Sequence, residues 1–383
     1  MTEFSFDVLR RHPDVEADNL FAVDASDRLI LDEAAEALDA AGDGRVAVIG
    51  DHYGALTLAA AGVLGLRDLR VHQDGLVAER ALAANAARFT TTPGIRTAYR
   101  SLPLGRELLE GATVVLLQLP RALDELDAVA RAVASWADPA VVLVAGGRVK
   151  HMTPAMNEVL AALFMRVDVS LARQKSRVLL ARSPRSDVTP AEPRREHSAE
   201  LGLDICAVPG AFAGAKLDLG TRRLLAHLEA MRPDARTAID LGCGTGVLAA
   251  QLARSRPELR VAATDQSEAA VESTRLTLAA NGLGDDLTNG RITVVRDDAL
   301  SGFDDASADL IVLNPPFHTG STVHAGIALK LFEAAGRVLA PGGELWTVFN
   351  SHLAYRSALQ RAVGATTQID RDPKFTVMRS LKR

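Results

Sequence analysis

The tetrapeptide Asn314-Pro-Pro-Phe317 contains residue types that could hold a planar amine for reaction. The amide oxygen of Asn314 can accept a hydrogen bond from an amino group, and acceptors on an exocyclic nitrogen favour the pyramidal form that attacks a methyl group. Two prolines stiffen the turn, and Phe317 offers a flat face for a base. We therefore predict Asn314, Pro315, Pro316 and Phe317 as catalytic residues. His318 could relay a proton or could simply be a flanking polar residue.

A glycine-rich loop, Asp240-Leu-Gly-Cys-Gly-Thr-Gly246, lies between a strand-like apolar run and a helical pattern. Its three glycines allow a tight turn and a close approach of the backbone to a ligand, and the amides at the start of the helix favour a carboxylate. The spacing does not fit a dinucleotide fingerprint, because the last position of that fingerprint falls on Val247. A tight turn without a ligand is the alternative interpretation.

Acidic residues follow two further strand-like runs. Asp265 ends the first of these runs, where a carboxylate can bond both hydroxyls of a ribose. Asp298 follows the second, with Asp297 as its rival. Because the carboxyl ends of parallel strands meet at one edge of a sheet, these acids should converge on the glycine loop. Gly242, Gly244, Gly246 and Asp265 are therefore predicted to bind a ligand.

The elements that must position these residues are short apolar runs alternating with helical patterns, as in βα units. Runs that are apolar on both faces are typical of parallel strands covered by helices on both sides. The predicted strands of the first half are Val46–Ile49, Leu69–Val71, Thr113–Leu117, Val141–Val144 and Arg177–Ala181. Those of the second half are Ala238–Leu241, Val261–Thr264, Ile292–Val295, Leu310–Leu313 and Glu344–Phe349.

The two halves of the chain resemble each other. Val46–Gly54 corresponds to Ala238–Gly246, and Val114–Pro120 corresponds to Leu310–Pro316. A repeat of this length predicts duplicated domains rather than a solenoid, although chance similarity among Ala-, Leu- and Val-rich segments is an alternative. A proline-rich, polar stretch between the halves predicts a linker over 183–200, which separates domains 1–182 and 201–383.

Charge is distributed unevenly along the chain. Residues 1–147 contain 13 basic and 22 acidic residues, whereas residues 148–195 contain 10 basic and 4 acidic residues. The basic stretch is a candidate phosphate-binding strip, or alternatively a solvated linker with basic flanks. Its cations are Arg148, Lys150, Arg166, Arg173, Lys175, Arg177, Arg182, Arg185, Arg194 and Arg195.

Composition narrows the class of protein. A hydrophobic fraction of 48% and a charged fraction of 24% are globular values that argue against a disordered chain. The net charge of -5 argues against a protein that coats nucleic acid nonspecifically. The two cysteines, Cys206 and Cys243, cannot form a disulfide framework or a four-ligand zinc site, so we expect a reducing, cytoplasmic location and no metal. No apolar run is long enough to span a membrane, and the N-terminus lacks the core of a signal peptide.

Taken together, the motifs resemble those of class I S-adenosylmethionine-dependent methyltransferases. The chain is similar over nearly its whole length to the bacterial two-domain ribosomal RNA guanine-N2 methyltransferases. Beyond the loop and the catalytic turn, the resemblance rests on Phe21–Asp27, Asp51–Leu56, Pro209–Phe212, Leu217–Gly220, Asn350–Tyr355 and Lys374–Val377.

The resemblance implies an α/β fold with two tandem Rossmann-like class I methyltransferase-type domains, of which the N-terminal one is degenerate. In that first copy Val48, His52 and Gln118 take the places of Asp240, Gly244 and Asn314, and the nearby acid Asp74 has no intact loop to act with. The first domain would hold RNA or serve as a structural partner. The implied cofactor is S-adenosyl-L-methionine. The residues implied to bind it are Asp240, Gly242, Gly244, Gly246, Asp265, Asp298 and Asn314, with Asp298 beside its adenine. The implied substrate is N2 of a guanine in 16S or 23S ribosomal RNA, free or in a ribosomal subunit.

Three alternative functions are compatible with parts of the sequence. The first is a methyltransferase acting on another amine, either adenine N6 or a protein glutamine. The second is a catalytically inactive RNA-binding or assembly module, against which the intact acids and glycines of the second half argue. The third, a nicotinamide oxidoreductase, has only the glycine loop in its favour. The oligomeric state is left open.

Overall fold

The computed structural model describes residues 4–89, 95, 98–316 and 322–383. The chain folds into two compact units, Met1–Glu192 and Pro193–Arg383. The stretch 183–200, predicted as a linker, includes the end of one strand of the first unit and a complete strand of the second, Arg194–Ser198. The division between the units falls at its middle.

The first unit contains a seven-stranded sheet in the order β3-β2-β1-β4-β5-β7-β6. Its first five strands are parallel, and β7 is antiparallel to both of its neighbours. The strands are β1 (Val46–Ile49), β2 (Leu69–His72), β3 (Tyr99–Ser101), β4 (Val114–Gln118), β5 (Val142–Arg148), β6 (Phe164–Val169) and β7 (Ser176–Pro184). The helices are α1 (Ala25–Ala41), α2 (Ala55–Gly62), α3 (Leu76–Ala86), α4 (Arg106–Leu109), α5 (Leu123–Trp136) and α6 (Pro154–Leu163).

The second unit repeats this order with β12-β11-β10-β13-β14-β16-β15 and adds a two-stranded hairpin, β8-β9. The strands are β8 (Arg194–Ser198), β9 (Leu203–Ala207), β10 (Thr237–Leu241), β11 (Arg260–Asp265), β12 (Ile292–Arg296), β13 (Ala308–Leu313), β14 (Leu339–Asn350), β15 (Gly364–Arg371) and β16 (Phe375–Lys382). The helices are α7 (Leu219–Leu225), α8 (Val247–Ser255), α9 (Glu268–Ala280), α10 (Gly284–Thr288), α11 (Thr322–Val338) and α12 (Arg356–Ala362).

Each sheet is covered on both faces. Along β1, Val46 and Val48 pack into one apolar cluster, whereas Ala47 and Ile49 pack into another on the opposite face. This follows from strand geometry, in which successive side chains point to opposite faces. The prediction of two tandem Rossmann-like domains is confirmed.

All ten predicted strands are present. Of the strands that the sequence pattern missed, β3, β6 and β8 have little buried surface, whereas β9 and β16 are mostly buried. β3 and β6 lie at the two edges of the first sheet, and β6 exposes Met165 and Arg166. All residues of β8 are polar, and none is buried. Exposed strands such as β3, β6 and β8 lack the continuous apolar run that marks a central parallel strand.

Candidate active site at the carboxyl edge of the second sheet

The glycine loop and the catalytic turn leave the sheet side by side. Leu241, the last residue of β10, pairs with Thr264 of β11 and with Leu313 of β13. Asp265 and Asn314, which follow those two partners, are therefore brought to the same edge as the loop. We call this the carboxyl edge of the second sheet, since it is where the parallel strands end.

Glycine is needed in the loop for two different structural reasons. Gly242 and Gly244 have positive φ angles of 75° and 54°, and a Cβ added to either would meet nothing within 4 Å. They face open space. Gly246, with φ 75°, is the left-handed N-cap of α8, and a Cβ there would lie 2.8 Å from Cγ2 of Thr274. The loop can therefore receive a ligand at its first two glycines, whereas the third is required for packing of α8 against α9.

Asp240 lies beneath the loop and is completely buried. Its Oδ2 accepts a hydrogen bond from the backbone N–H of Ala249 at 2.9 Å, which ties β10 to the first turn of α8. Burial raises the pKa of this carboxyl to about 7. Oδ1 has no partner among the described residues, so the site keeps one buried acceptor for a group that the chain does not supply.

Asp265 connects the loop to the next helix. Its Oδ2 accepts from the N–H of Gly244 at 3.1 Å, and its Oδ1 accepts from the N–H of Ser267 at 3.0 Å. The backbone N–H of Asp297 donates to the carbonyl of Asp265 at 2.9 Å, which adds the end of β12 to the site. Each carboxylate oxygen has more than one lone pair, so both can accept further hydrogen bonds.

Asp298 has a partner that the sequence pattern did not reveal. The ammonium of Lys330 on α11 lies 2.7 and 2.6 Å from its two carboxylate oxygens. Nothing in the spacing signals this ion pair, because the helix that carries Lys330 packs back onto the sheet only in the tertiary structure. The predicted contact of Asp298 with a cofactor would have to share the carboxylate with this lysine.

The amide of Asn314 is fixed in one orientation. Its Nδ2 donates to Oδ2 of Asp218 at 2.8 Å and to Oγ1 of Thr221 at 3.0 Å, so both amide hydrogens are used. Exchanging the amide N and O would set an oxygen against a carboxylate, which excludes the flipped assignment. Oδ1 is left buried and has no partner in the part of the chain that the structure describes.

Three residues that support Asn314 were not predicted as site residues. Asp218 caps α7 by accepting from the N–H of Thr221 at 2.9 Å, and both then face the asparagine. A Cβ on Gly220 would lie 3.1 Å from the Asn314 Oδ1, which is closer than an ordinary van der Waals contact, so a side chain there would press on the asparagine. The available signal was the helix-capping pattern Asp-x-x-Thr, which marks a helix start but not its contact with the turn.

The rest of the catalytic turn is described only in part. Pro315 is buried and Pro316 is exposed. Phe317 and His318, predicted respectively as a flat face for a base and as a possible proton relay, lie outside the described residues.

The first sheet has a corresponding edge with different side chains. The N–H of His52 donates to Oε1 of Gln73 at 2.8 Å, as the N–H of Gly244 donates to Asp265. Gln73 therefore stands where Asp265 stands, and Asp74, the acid noted from the sequence, lies one residue further along. The acid of the second sheet is thus replaced by a neutral amide in the first.

The arrangement fits a ligand that has both hydroxyl and amino groups. Open space lies in front of Gly242 and Gly244, and Asp240 and Asn314 each keep a buried oxygen without a partner in the described chain. Within the same residues, no three His, Cys, Asp or Glu side chains form a group able to hold a metal ion. No helix there has the length and apolarity needed to cross a membrane.

Comparisons with known proteins show that the chain is similar to methyltransferases. The family model described as "Methyltransferase small domain" matches residues 202–379, and the "RLMG N-terminal domain" matches residues 1–185. The ribosomal RNA large subunit methyltransferases G of Streptomyces coelicolor and Pseudomonas putida are both 32% identical to this chain. The first match covers 98% of each chain, and the second covers 98% of this chain and 97% of its relative.

A solved structure shares the two-domain fold. It is the 16S rRNA N2 G1207 methyltransferase of T. thermophilus in complex with AdoMet and guanosine, which superposes with a TM-score of 0.71 at 22% identity and with 92% of each chain covered. Fold and sequence together define a class I S-adenosylmethionine-dependent methyltransferase, as the motifs predicted. Within that class, the chain belongs to the family of the ribosomal RNA large subunit methyltransferase G.

Proposed function

We propose that this protein transfers a methyl group from S-adenosyl-L-methionine to N2 of a guanine in large-subunit ribosomal RNA, in the cytoplasm. Membership of the family supports large-subunit ribosomal RNA as the substrate. The solved relative, which is named for N2 of a guanine, supports this nitrogen as the atom that is methylated. The observation that carries the chemistry is the amide of Asn314, whose nitrogen is held by two acceptors and whose oxygen is left free.

The residues of the loop would hold the cofactor. The backbone at Gly242 and Gly244 would lie against it, and Gly246 would set the start of α8. Asp265 would accept from its ribose, Asp298 from its adenine, and the free oxygen of Asp240 would serve as a buried acceptor beneath it. When bound, the cofactor supplies an electrophilic methyl group.

Asn314 would then position the substrate nitrogen. The 2-amino group of guanine is a weak nucleophile, because its lone pair is delocalised into the ring. Hydrogen bonds from its two N–H groups to the Asn314 Oδ1 and to the carbonyl of Pro315 would localise the lone pair and aim it. The base has to leave its stack to reach this turn, where Phe317 would offer it a flat face. Positioning supplies most of the rate.

Adenine N6 and a glutamine amide also present a planar NH₂ group. No feature of the described site favours them, whereas the family favours ribosomal RNA.

Analysis of the methylated nucleoside would identify both the RNA and the base that the enzyme methylates. Ribosomal RNA and intact subunits from a strain that lacks the enzyme would be incubated with the protein and labelled S-adenosylmethionine, then digested to nucleosides for mass spectrometry. We expect one N2-methylguanosine in the large-subunit RNA, and far less of it in the same time with Asn314→Ala protein. Label in adenosine, in protein or in small-subunit RNA alone would contradict the proposal. Comparing free RNA with subunits would identify the substrate state.

A further inference from the structure

One buried side chain contacts the glycine loop at three of its residues. Oγ1 of Thr274, on α9, donates to the carbonyl of Gly244 at 3.0 Å and lies 3.2 Å from Sγ of Cys243. A Cβ on Gly246 would lie 2.8 Å from Cγ2 of Thr274, so this methyl group packs closely against the third glycine. Because Thr274 is completely buried, it reaches the loop from the protein interior and leaves the open space before Gly242 and Gly244 unfilled.

The backbone of Gly244 is held on both sides. Its N–H donates to Oδ2 of Asp265 at 3.1 Å, and its carbonyl accepts from Thr274 at 3.0 Å. Asp265 ends β11 and Thr274 lies within α9, the next helix, so one strand and its following helix supply both contacts. The N–H of Ser267, the N-cap of α9, donates to Oδ1 of Asp265, which joins that helix to the end of the strand.

The hydroxyl hydrogen of Thr274 serves the carbonyl rather than the thiol. A hydroxyl has one hydrogen to donate, and a carbonyl oxygen is a better acceptor than a sulfur. Gly244, with φ 54°, needs such a restraint, because glycine has more conformational freedom to lose than any other residue. Without the hydroxyl, the carbonyl of this half-buried glycine would be free to turn towards water.

Helices α3 and α9 are equivalent in the two domains. Both have the sequence Leu-Ala-Ala-Asn near their C-terminal ends, finishing at Asn85 and Asn281. Asn85 accepts from the N–H of Arg10 at 2.9 Å and donates to its carbonyl at 2.8 Å. Asn281 bonds the same two backbone groups of Asp204, at 2.9 and 2.7 Å. The two helices can therefore be aligned residue by residue on their asparagines.

In that alignment the first domain has an alanine in place of Thr274. Ala78 and Thr274 stand at the same distance before the asparagines of their helices. The N–H of His52 still donates to Gln73, as that of Gly244 donates to its acid, but an alanine has no hydroxyl for the carbonyl. The domain that is predicted to lack a cofactor site has thus kept the contact from the end of the strand and has no counterpart of the one from the helix.

We propose that Thr274 is a positioning residue for the cofactor, whose hydroxyl holds the Gly244 carbonyl so that the loop already has the shape that receives S-adenosylmethionine. This inference rests on the proposed function, in which the cofactor lies against Gly242 and Gly244. Thr274 acts through the loop, since it is completely buried beneath it. A loop that is ordered before the cofactor arrives loses less conformational freedom on binding, which raises the affinity.

Two substitutions at this position separate the hydroxyl from the methyl group. Thr274→Val keeps the shape of the side chain and removes the hydroxyl, whereas Thr274→Ser keeps the hydroxyl and removes the methyl group. Thr277→Val is the matched control, because Thr277 is also completely buried on α9. Its Oγ1 accepts from the N–H of Cys206 at 2.9 Å and donates to the carbonyl of that residue at 3.2 Å, so its hydroxyl holds β9.

Cofactor affinity would be measured by calorimetric titration with S-adenosylmethionine, and stability by urea unfolding. We expect Thr274→Val to weaken binding about tenfold, the scale of one lost hydrogen bond. The KM for the cofactor should rise with it, while kcat at saturating cofactor stays unchanged. Thr274→Ser should restore the affinity. Thr277→Val should keep the affinity while lowering the free energy of unfolding.

Three results would overturn the inference. Wild-type affinity in Thr274→Val would remove the role of the hydroxyl, an equal loss in Thr274→Ser would assign the effect to methyl packing, and an equal loss in Thr277→Val would assign it to the stability of α9. If Thr274→Val does not fold, Thr274→Ala compared with Thr274→Ser makes the same test, since these two side chains differ only by the hydroxyl. A wild-type protein that takes up no S-adenosylmethionine would instead overturn the proposed function.

Discussion

The two domains have the same backbone fold but differ in which side-chain hydrogen-bond acceptors lack a partner. Gly54 and Gly246 are both left-handed N-caps, with φ of 89° and 75°, and the strand order is the same. The first domain has a buried acid at a different position of its loop, Asp51, whose two oxygens accept from the N–H groups of Leu56 and Thr57, both at 2.8 Å. Asp51 uses both of its oxygens to hold the first turn of α2. Asp240 uses one oxygen to hold the first turn of α8 and keeps the other without a partner in the described chain.

The amides at the ends of β4 and β13 repeat this contrast. Gln118 donates to Asp27 through Nε2, and its Oε1 accepts from Oγ of Ser26 at 3.3 Å. Asn314 donates in the same way to the start of the corresponding helix but leaves its oxygen free. The comparison teaches that a fold can persist after its site is lost, because satisfying the leftover acceptors converts a ligand site into ordinary structure.

The largest effect should come from the two amides. Asn314→Ala removes the acceptor proposed for the substrate amine, so turnover should fall about 100-fold or more, as for other pre-organised groups, while cofactor affinity changes little. Gln118→Ala is the matched control and should leave turnover unchanged. Single-turnover assays on ribosomal RNA would measure both. Near wild-type turnover by Asn314→Ala would show that the amide does not position the nitrogen.

The loop offers the next comparison. Gly244 has φ 54° and His52 has φ 50°, so the first domain shows that this backbone accepts a histidine. Gly244→His should therefore fold, yet fill the open space before the loop and weaken cofactor binding by at least about tenfold, equivalent to 1.4 kcal/mol.

His52→Gly, the reverse change in the first domain, should leave cofactor binding intact. Equilibrium binding would decide between the two domains. Unimpaired binding by Gly244→His would mean that the cofactor does not lie against this glycine.

A smaller effect concerns stability and pH. Burial raises the pKa of Asp240 to about 7 and that of Asp51 to about 6. In an unfolded chain the pKa of an aspartate is about 4, which is lower than both of these folded-state values. Each group therefore adds to the free energy of unfolding in full below about pH 4, and this contribution is lost as the pH rises towards the folded-state pKa.

Asp240→Asn should flatten this decline in the second domain by on the order of a few kcal/mol, and Asp51→Asn should flatten that of the first domain less. Trp346 is the only tryptophan of the second domain, so urea unfolding followed by fluorescence in a Trp136→Phe background would report on that domain. An unchanged pH slope for Asp240→Asn would contradict the assigned pKa.

The sequence predicted the central strands and the edge at which the site lies, because buried parallel strands and glycine loops leave local patterns. Edge strands such as β6 left none. The partners of the site residues were also out of reach. Asn314 and Asp218 are 96 residues apart in the sequence, and Asp298 and Lys330 are 32 residues apart. Both contacts therefore depend on tertiary packing that no local pattern encodes. The roles of Phe317 and His318 stay predictions.

Calorimetric titration with S-adenosylmethionine tests the asymmetry of the two domains most directly. The account predicts one site per chain. Asp265→Ala should weaken that site about 10- to 100-fold, as expected for lost charge-assisted hydrogen bonds, while Gln73→Ala, at the equivalent place in the first domain, should leave it unchanged. No uptake of the cofactor, two sites per chain, or equal losses in the two variants would contradict the account.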